Sequence, residues 1–484
     1  MKPPESLETP VEPVDAPPPI TTHPPTPLRW RLAILCGLAG LMLLAYLMQE
    51  TIGVRGQALL GIFFFFGIVA AFSANLRAVN WRTIFWGIAI QVVLAFLVLD
   101  VPFVHRLFEG AGAVVNKFID FSHEGASFVF GNLADSRPES AGGTWTRLFP
   151  TGYAFQFAFI ALPPIIFISA FFTVLYHFGI LQFIVRLFAR VMVHLMGTSG
   201  AETLSVAANV FMGQTEAPLI IRPYVPRMTN SELFVLMASG MAHISGGLMA
   251  VYISYGADPV AVLATCVMAC PCSLYLSKLF LPEVSKPETS GTAHAGDMKS
   301  PYVNAIDAAA AGTSDGLQLA LNVAAMLIAF VAFVAMFNGI LGVIPLAKIG
   351  AWTGWEMPDQ LSLQWMFGKM FKPVAMLMGV SHVDQEHVGT LLGIKLALNE
   401  HVAFLQMKDW KTTADFMTER SYRLASYALT GFANFSSVGI QLGGIGGMAP
   451  NRRHDLARLG LRALFVGFTA TLLNASVAGL FLPK

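Results

Sequence analysis

Nine apolar runs recur along this 484-residue chain, each approaching the ~20 residues that a helix needs to cross a hydrocarbon core. They fall at about Leu32–Met48, Gln57–Phe72, Thr83–Val101, Phe155–Leu175, Leu233–Tyr255, Pro259–Phe280, Leu317–Leu341, Tyr422–Leu442 and Leu459–Phe481. Only 12% of the residues are charged, half of the ~25% found in an average soluble domain. A chain of this length could hold roughly three soluble domains, but it lacks the charge to solvate their surfaces. The reading is an all-α polytopic membrane protein. A net charge of +1 leaves no excess Lys and Arg to neutralise phosphates, so nucleic acid is not expected as a partner. Cys36, Cys266, Cys270 and Cys272 lie in apolar segments and imply no disulfide framework.

The first 28 residues contain ten prolines and few large apolar residues. Such a stretch cannot bury enough surface to offset its ordering entropy, so residues 1–28 are expected to form a disordered cytoplasmic arm. No small-x-small cleavage site follows Leu32–Met48, which is read as a retained membrane helix. Residues 29–152 then hold the N-terminal membrane helices and, at Gly110–Gly131, an amphipathic interfacial helix. Residues 181–228 and 363–407 are apolar but interrupted by Gly, Pro and polar residues, a pattern tolerated at membrane depth only around a protein-enclosed cavity. Both are expected to be re-entrant hairpins. Residues 283–315 are expected to be the main cytoplasmic loop. Arg29, Arg31, Arg77, Arg82, Arg186, Arg190, Arg222, Arg227, Arg452, Arg453 and Arg458 all fall on one side if the hairpins re-enter without crossing. By the positive-inside rule the N-terminus is then cytoplasmic and the C-terminus outside, in a cell (inner) membrane.

The chain also repeats itself. Ser239-Gly-Met-Ala-His-Ile-Ser245 resembles Thr430-Gly-Phe-Ala-Asn-Phe-Ser436, and upstream of each lies a broken segment with an acid, Glu216 in one and Glu400 in the other. Phe178-Gly-Ile-Leu181 matches Asn338-Gly-Ile-Leu341 at the end of a span. The order of span, acid-bearing hairpin, broken span and closing span therefore occurs over residues 153–282 and again over 316–482. Counting spans sets the copies in opposite orientations. Inverted repeats with interrupted helices place substrate and coupling ion near the bilayer midplane in secondary transporters.

Gln214, Thr215 and Glu216 are consecutive polar residues in an apolar stretch, and an acid at membrane depth is costly without partners. A hairpin tip is expected to let all three converge. Glu400 stands beside Asn399 and His401, and Phe432, Asn434, Ser436 and Ser437 follow, with Gly431 and Gly439 permitting unwinding. Amide, carboxylate, hydroxyl and aromatic groups without a cationic cluster select a neutral, hydroxyl-rich ligand with a flat apolar part.

These stretches resemble the concentrative nucleoside transporter family. The resemblance is carried by Ala208-Asn-Val-Phe-Met-Gly-Gln-Thr-Glu-Ala-Pro-Leu219, by Asn399-Glu400 with Val402-Ala403, and by Gly431-Phe-Ala-Asn-Phe-Ser-Ser437. Asn304–Ala310 and Leu319–Phe330 also look like family segments, and the likeness runs over roughly residues 57–482. It implies nucleoside import by symport with Na+ or H+, no other cofactor, and a homotrimer whose protomers move a transport domain against a scaffold in lipid. It further implies that Gln214, Thr215 and Glu216 bond the base with Leu248 nearby, and that Glu400, Asn434 and Ser437 bind ribose beside Phe432. The coupling ion would meet Asn209, the Met212 carbonyl, His243 and the Ile244 carbonyl, with no metal beyond Na+.

Two residues depart from the family. His243 replaces a small hydroxyl residue, which removes an oxygen ligand and adds a titratable ring. Proton coupling, and a sodium site completed while His243 turns away, both remain open. His401 stands where the family usually has Phe, and the Leu32–Met48 span is absent from its shortest bacterial members. The alternative readings are a transporter of another small neutral solute or a nucleobase, and a soft-metal transporter using Cys270-Pro271-Cys272. A metal pump would need a large phosphorylated domain that the chain does not contain. An enzyme is not expected, because no His-Glu-x-x-His or comparable compact motif occurs.

Overall fold

A computed structural model describes residues 25–134, 157–291, 302–344, 358, 360–411 and 417–483. Among them every regular element is a helix, apart from one isolated bridge between Ser199 and Ser290. The expected disordered arm lies outside the described residues up to residue 24. Its last residues are fastened: Thr26 is buried, donates to the Ser73 carbonyl (2.9 Å) and accepts from the Leu76 N–H (3.0 Å).

The N-terminal elements are α1 (Leu28–Leu47), α2 (Gln49–Ala71), α3 (Trp81–Asp100) and α4 (Pro102–Phe130). α4 is the expected amphipathic helix, extended by two turns at its start, where Pro102 needs no donor. α5 (Leu162–His177) is a span and α6 (Ile180–Met196) lies between Gly179 and Gly197, both left-handed. α6 is a continuous amphipathic helix, so the re-entrant segment expected from residue 181 begins only at Gly200.

That segment rises as α7 (Gly200–Ala208), opened by a capping box of Ser199 and Glu202. It returns through 3-10 turns at Ala217–Ile221 and Val225–Arg227 instead of a second α-helix. Pro218, Pro223 and Pro226 explain this, since each lacks the N–H that an α-helix interior requires. α8 (Asn230–Ala242) and α9 (Gly246–Ser254) are one span broken at His243–Ser245 and buried almost throughout. α10 (Pro259–Phe280) closes the first half.

α11 (Ala305–Leu341) starts well before the expected run at Leu317, so part of the expected 283–315 loop is helical, and residues 292–301 lie outside the described set. Its Gly312 and Gly316 lie against the backbone of α5 at Ala170 and Ile166, where any side chain would collide. α12 (Leu363–Leu377), α13 (Gln385–Ala397) and α14 (Glu400–Lys411) follow within the segment expected to be the second hairpin, with a turn between α13 and α14. The run at Tyr422–Leu442 is a broken pair, α15 (Glu419–Leu429) and α16 (Phe435–Met448), and α17 (Arg453–Phe481) ends the fold.

The helices divide by burial. α8, α9, α10 and α17 form a packed interior, whereas α1 and α11 turn most of their apolar surface outward. Scarce charges are spent at helix ends. Buried Arg420 donates to the carbonyls of Gly379, Gly479, Leu482 and Pro483 at 2.7–2.9 Å. Gly479 and Leu482 belong to the end of α17, where the macrodipole is negative and the last carbonyls have no helical partner.

Candidate functional site

The two broken spans meet at their breaks. In the second, α15 ends at Leu429 and Gly431 takes φ +145°, a conformation that L side chains rarely adopt. The Phe432 N–H then donates to the His243 carbonyl of the first break (3.0 Å). Asn434 opens α16 as its N-cap, its Oδ1 accepting from the Ser437 N–H (2.9 Å) and from Ser436 Oγ (2.6 Å). Its Nδ2 is thereby left to donate to Glu400 Oε2 (2.8 Å). Tyr252 of α9 donates to the other oxygen, Oε1 (2.8 Å). Glu400 itself begins α14, where the free N–H groups of the first turn favour an anion. Next to it, His401 Nε2 meets Tyr255 Oη at 2.9 Å.

The first hairpin reaches into the same region with only part of its polar tip. Gln214 Nε2 donates to Ser437 Oγ (3.2 Å), and Gln214 Oε1 accepts from Gln441 Nε2 (3.1 Å). Thr215 lies against Gly444 of α16. Glu216 does not join them. It lines a cavity of about 580 Å³ with Ser169, Thr173, Tyr302 and Asp315, and its Oε2 is buried without a hydrogen-bond partner. The expected convergence of three side chains therefore fails for a geometric reason. The Ala217 N–H donates to the Gly213 carbonyl (3.0 Å), so the tip turns helically. Residues two apart at ~3.6 residues per turn point to roughly opposite sides.

Asn209 caps the end of α7 and donates from Nδ2 to Ser239 Oγ (3.0 Å). Its Oδ1, and Ser205 Oγ one turn earlier, are buried without partners. Two unsatisfied buried oxygens are the donor type that a hard cation takes. Met212 and Ile244 flank this region in sequence, Met212 within the turns of the tip and Ile244 within the first break. His243 faces elsewhere: Nδ1 bonds the Ser239 carbonyl (2.8 Å) and Nε2 meets Cys270 Sγ of α10 (3.4 Å). Leu248, one turn into α9, and Phe432 are both buried beside the breaks.

The thiols of Cys270 and Cys272 do not converge. Cys272 Sγ faces Tyr275 Oη (3.8 Å) and the Ala470 carbonyl (3.7 Å), away from His243. Among the described residues no three His, Cys, Asp or Glu side chains gather to hold a metal ion.

The structure thus joins Gln214, Ser437, Asn434 and Glu400 into one buried polar chain, to which the sequence reading had not assigned Gln441 and Tyr252. The signal for Tyr252 was a tyrosine inside an apolar run, because a buried phenol must find a hydrogen-bond partner. Ser205 and Ser239 offered a weaker one, as serines in helices usually bond their own backbone.

Comparison with known proteins gives a consistent result. Residues 60–133 and 261–479 match the signatures described as the N-terminus and C-terminus of Na+ dependent nucleoside transporters, and residues 158–259 match a gate described as nucleoside recognition. An uncharacterized transporter of Haemophilus influenzae is 41% identical over 88% of this chain and 97% of its own length. Sodium/nucleoside cotransporter 1 of Mus musculus is 38% identical over 94% of this chain and 68% of its own. Among solved structures, CNTnw in an inward-facing substrate-bound state is 36% identical, with a TM-score of 0.79 over 88% of this chain and 98% of that one. A doubly substituted form in an outward-facing state gives a TM-score of 0.81 over the same shares.

Proposed function

The chain belongs to the Na+-dependent nucleoside transporter family, and from that premise we propose that it imports nucleosides through the buried polar chain where its two broken spans meet. It is a multi-pass membrane transporter, not an enzyme. The observation that carries the assignment of the site is the link from Gln214 through Ser437 and Asn434 to Glu400. It lines up an amide, a hydroxyl, a second amide and a carboxylate among apolar helices; among the described residues no cationic side chain bonds Glu400 directly, and Lys395 lies within electrostatic range of it. Glu400, Asn434 and Ser437 hold the ribose hydroxyls beside Phe432. Gln214 and Thr215 meet the base, with Leu248 packed against it, and Glu216 joins them when the tip reorganises around substrate.

The coupling cation is sodium in this reading. Asn209 Oδ1 and the carbonyls of Met212 and Ile244 supply oxygen, Ser205 Oγ lies one turn from Asn209, and both ring nitrogens of His243 are engaged elsewhere. The carbonyl of His243 is already taken by Phe432. The two halves act as an inverted repeat forming a transport domain that moves against a scaffold of the outward-facing helices. Three protomers assemble through that scaffold, with the N-terminus cytoplasmic and the C-terminus outside.

The test is uptake of labelled uridine, adenosine and a free nucleobase into proteoliposomes, with sodium and pH gradients imposed separately. Saturable nucleoside uptake driven by the sodium gradient is expected. No saturable nucleoside uptake under either gradient overturns the reading. Uptake that follows pH and ignores sodium transfers the coupling to protons, and nucleobase uptake equal to nucleoside uptake removes the ribose contacts.

A further inference from the structure

We infer that Tyr252 is a positioning residue for sugar recognition: its phenol fixes the plane of the Glu400 carboxylate so that the remaining lone pairs receive a vicinal diol. The inference rests on the reading that Glu400 meets ribose. A carboxylate offers about four acceptor positions, two per oxygen. Here one on each oxygen is already filled, Oε1 by Tyr252 (2.8 Å) and Oε2 by Asn434 (2.8 Å). Donors on both oxygens stop the carboxylate from rotating about its last bond. What stays available is one lone pair on each oxygen, a pair of acceptors suited to two adjacent hydroxyls and mismatched to one.

Tyr252 is built to hold this orientation. It is fully buried, and its ring stacks on Phe404 with centroids 4.6 Å apart and planes 19° from parallel. Phe404 lies one turn after Glu400 on α14, so the same helix that carries the carboxylate also clamps the ring that orients it. Tyr252 approaches from α9, in the first half of the chain, whereas Asn434 approaches from α16, in the second. The orientation of Glu400 therefore depends on both halves being docked. Tyr255, at the C-cap of α9, makes a parallel contact to the same helix, but its hydroxyl meets His401 instead of the acid. That neighbour is a built-in control.

The experiment compares uridine with 2′-deoxyuridine and 3′-deoxyuridine in proteoliposomes containing the full chain, as wild type, Tyr252→Phe and Tyr255→Phe. Wild type is expected to favour uridine. Tyr252→Phe should raise the uridine KM about tenfold, the worth of one charge-assisted hydrogen bond, while the KM values of the deoxy compounds change less. Maximal rates should hold, so the preference for the diol shrinks. Tyr255→Phe should leave that preference intact. In a Glu400→Asp background, adding Tyr252→Phe should have less effect than in wild type, because the carboxylate has already withdrawn from the phenol.

Equal KM changes for all three nucleosides, or an unchanged preference, would overturn the positioning role. Loss of preference in Tyr255→Phe as well would reduce both tyrosines to packing between α9 and α14. A wild type that ignores the diol would instead remove the ribose reading itself, which separates the two failures.

Discussion

Glu216 of the first hairpin and Glu400 at the start of α14 are held in opposite ways. Glu400 is buried, receives a donor on each oxygen and sits in the chain of groups that links both broken spans. Glu216 faces a cavity between the first hairpin and the helices α5 and α11, with one oxygen unpartnered. A carboxylate whose donors are in place is preorganised for one ligand geometry. One without two such donors is less constrained in orientation. Local turn geometry thus gives the two acids different surroundings.

The largest expected effect sharpens this division. Glu400→Gln must turn an amide N–H2 toward either Tyr252 or Asn434 Nδ2, replacing an acceptor with a donor. Loss of charge-assisted bonds worth about 3 kcal/mol corresponds to roughly a hundredfold fall in kcat/KM for uridine uptake. Glu216→Gln breaks no hydrogen bond to another side chain in this conformation, and its effect is expected to be about tenfold, the worth of a single contact formed on substrate arrival. Initial rates of labelled uridine uptake decide it. A Glu216 variant as damaged as the Glu400 variant would end the distinction.

A second contrast concerns buried lysines. In the first half, Lys278 pairs with Glu202 (2.8 Å) and Glu283 (3.2 Å) and donates to Ser231 (3.0 Å). In the second, Lys395 donates to the Ala428 carbonyl (2.7 Å) and the Thr471 hydroxyl (3.0 Å), over the ring of Phe468, with Glu400 in electrostatic range but not bonded to it. Lys278→Met leaves acids buried without their cation and should cost about 3–5 kcal/mol. Lys395→Met strands a carbonyl and a hydroxyl and takes the nearby positive charge from Glu400, but it breaks no direct ion pair, so a smaller loss of about 1–3 kcal/mol is expected. Melting temperatures of both variants in detergent should fall in that order. The reverse order would place the dominant electrostatic anchor in the second half.

The spans were legible because a bilayer imposes their length, and the breaks at His243–Ser245 and Thr430–Ala433 were legible because Gly and polar residues interrupt an apolar pattern. Family resemblance named Glu400, Asn434 and Ser437, which the structure brings together. What stayed hidden depends on direction. Glu216 and Gln214 are two residues apart, and only the turn closed by Gly213 and Ala217 sends them to opposite sides. The 3-10 return of the first hairpin was written in Pro218, Pro223 and Pro226, whereas the partnership of Tyr252 with Glu400 spans 148 positions in the chain and carries no local pattern.

The smallest effect is expected at His243, which opens the first break as the C-cap of α8, whereas Asn434 closes the second as the N-cap of α16. Asn434 joins the buried polar chain through Glu400, but His243 turns toward α10 and is occupied by the Ser239 carbonyl and Cys270 Sγ. A side chain already satisfied by the Ser239 carbonyl and Cys270 Sγ contributes its bulk, not a ligand. His243→Ser would offer one more oxygen near Asn209 while leaving the Ser239 carbonyl to its helix. Its expected result is a modest fall in the sodium concentration for half-maximal uptake, roughly threefold to tenfold, the worth of about one added neutral ligand bond. The pH dependence of uptake should be the same as in wild type, because both ring nitrogens are held by the Ser239 carbonyl and Cys270 Sγ. If instead wild-type uptake rises with an inward proton gradient and His243→Ser abolishes that response, the imidazole is the coupling group. The contrast between the two breaks would then be one of ion against substrate.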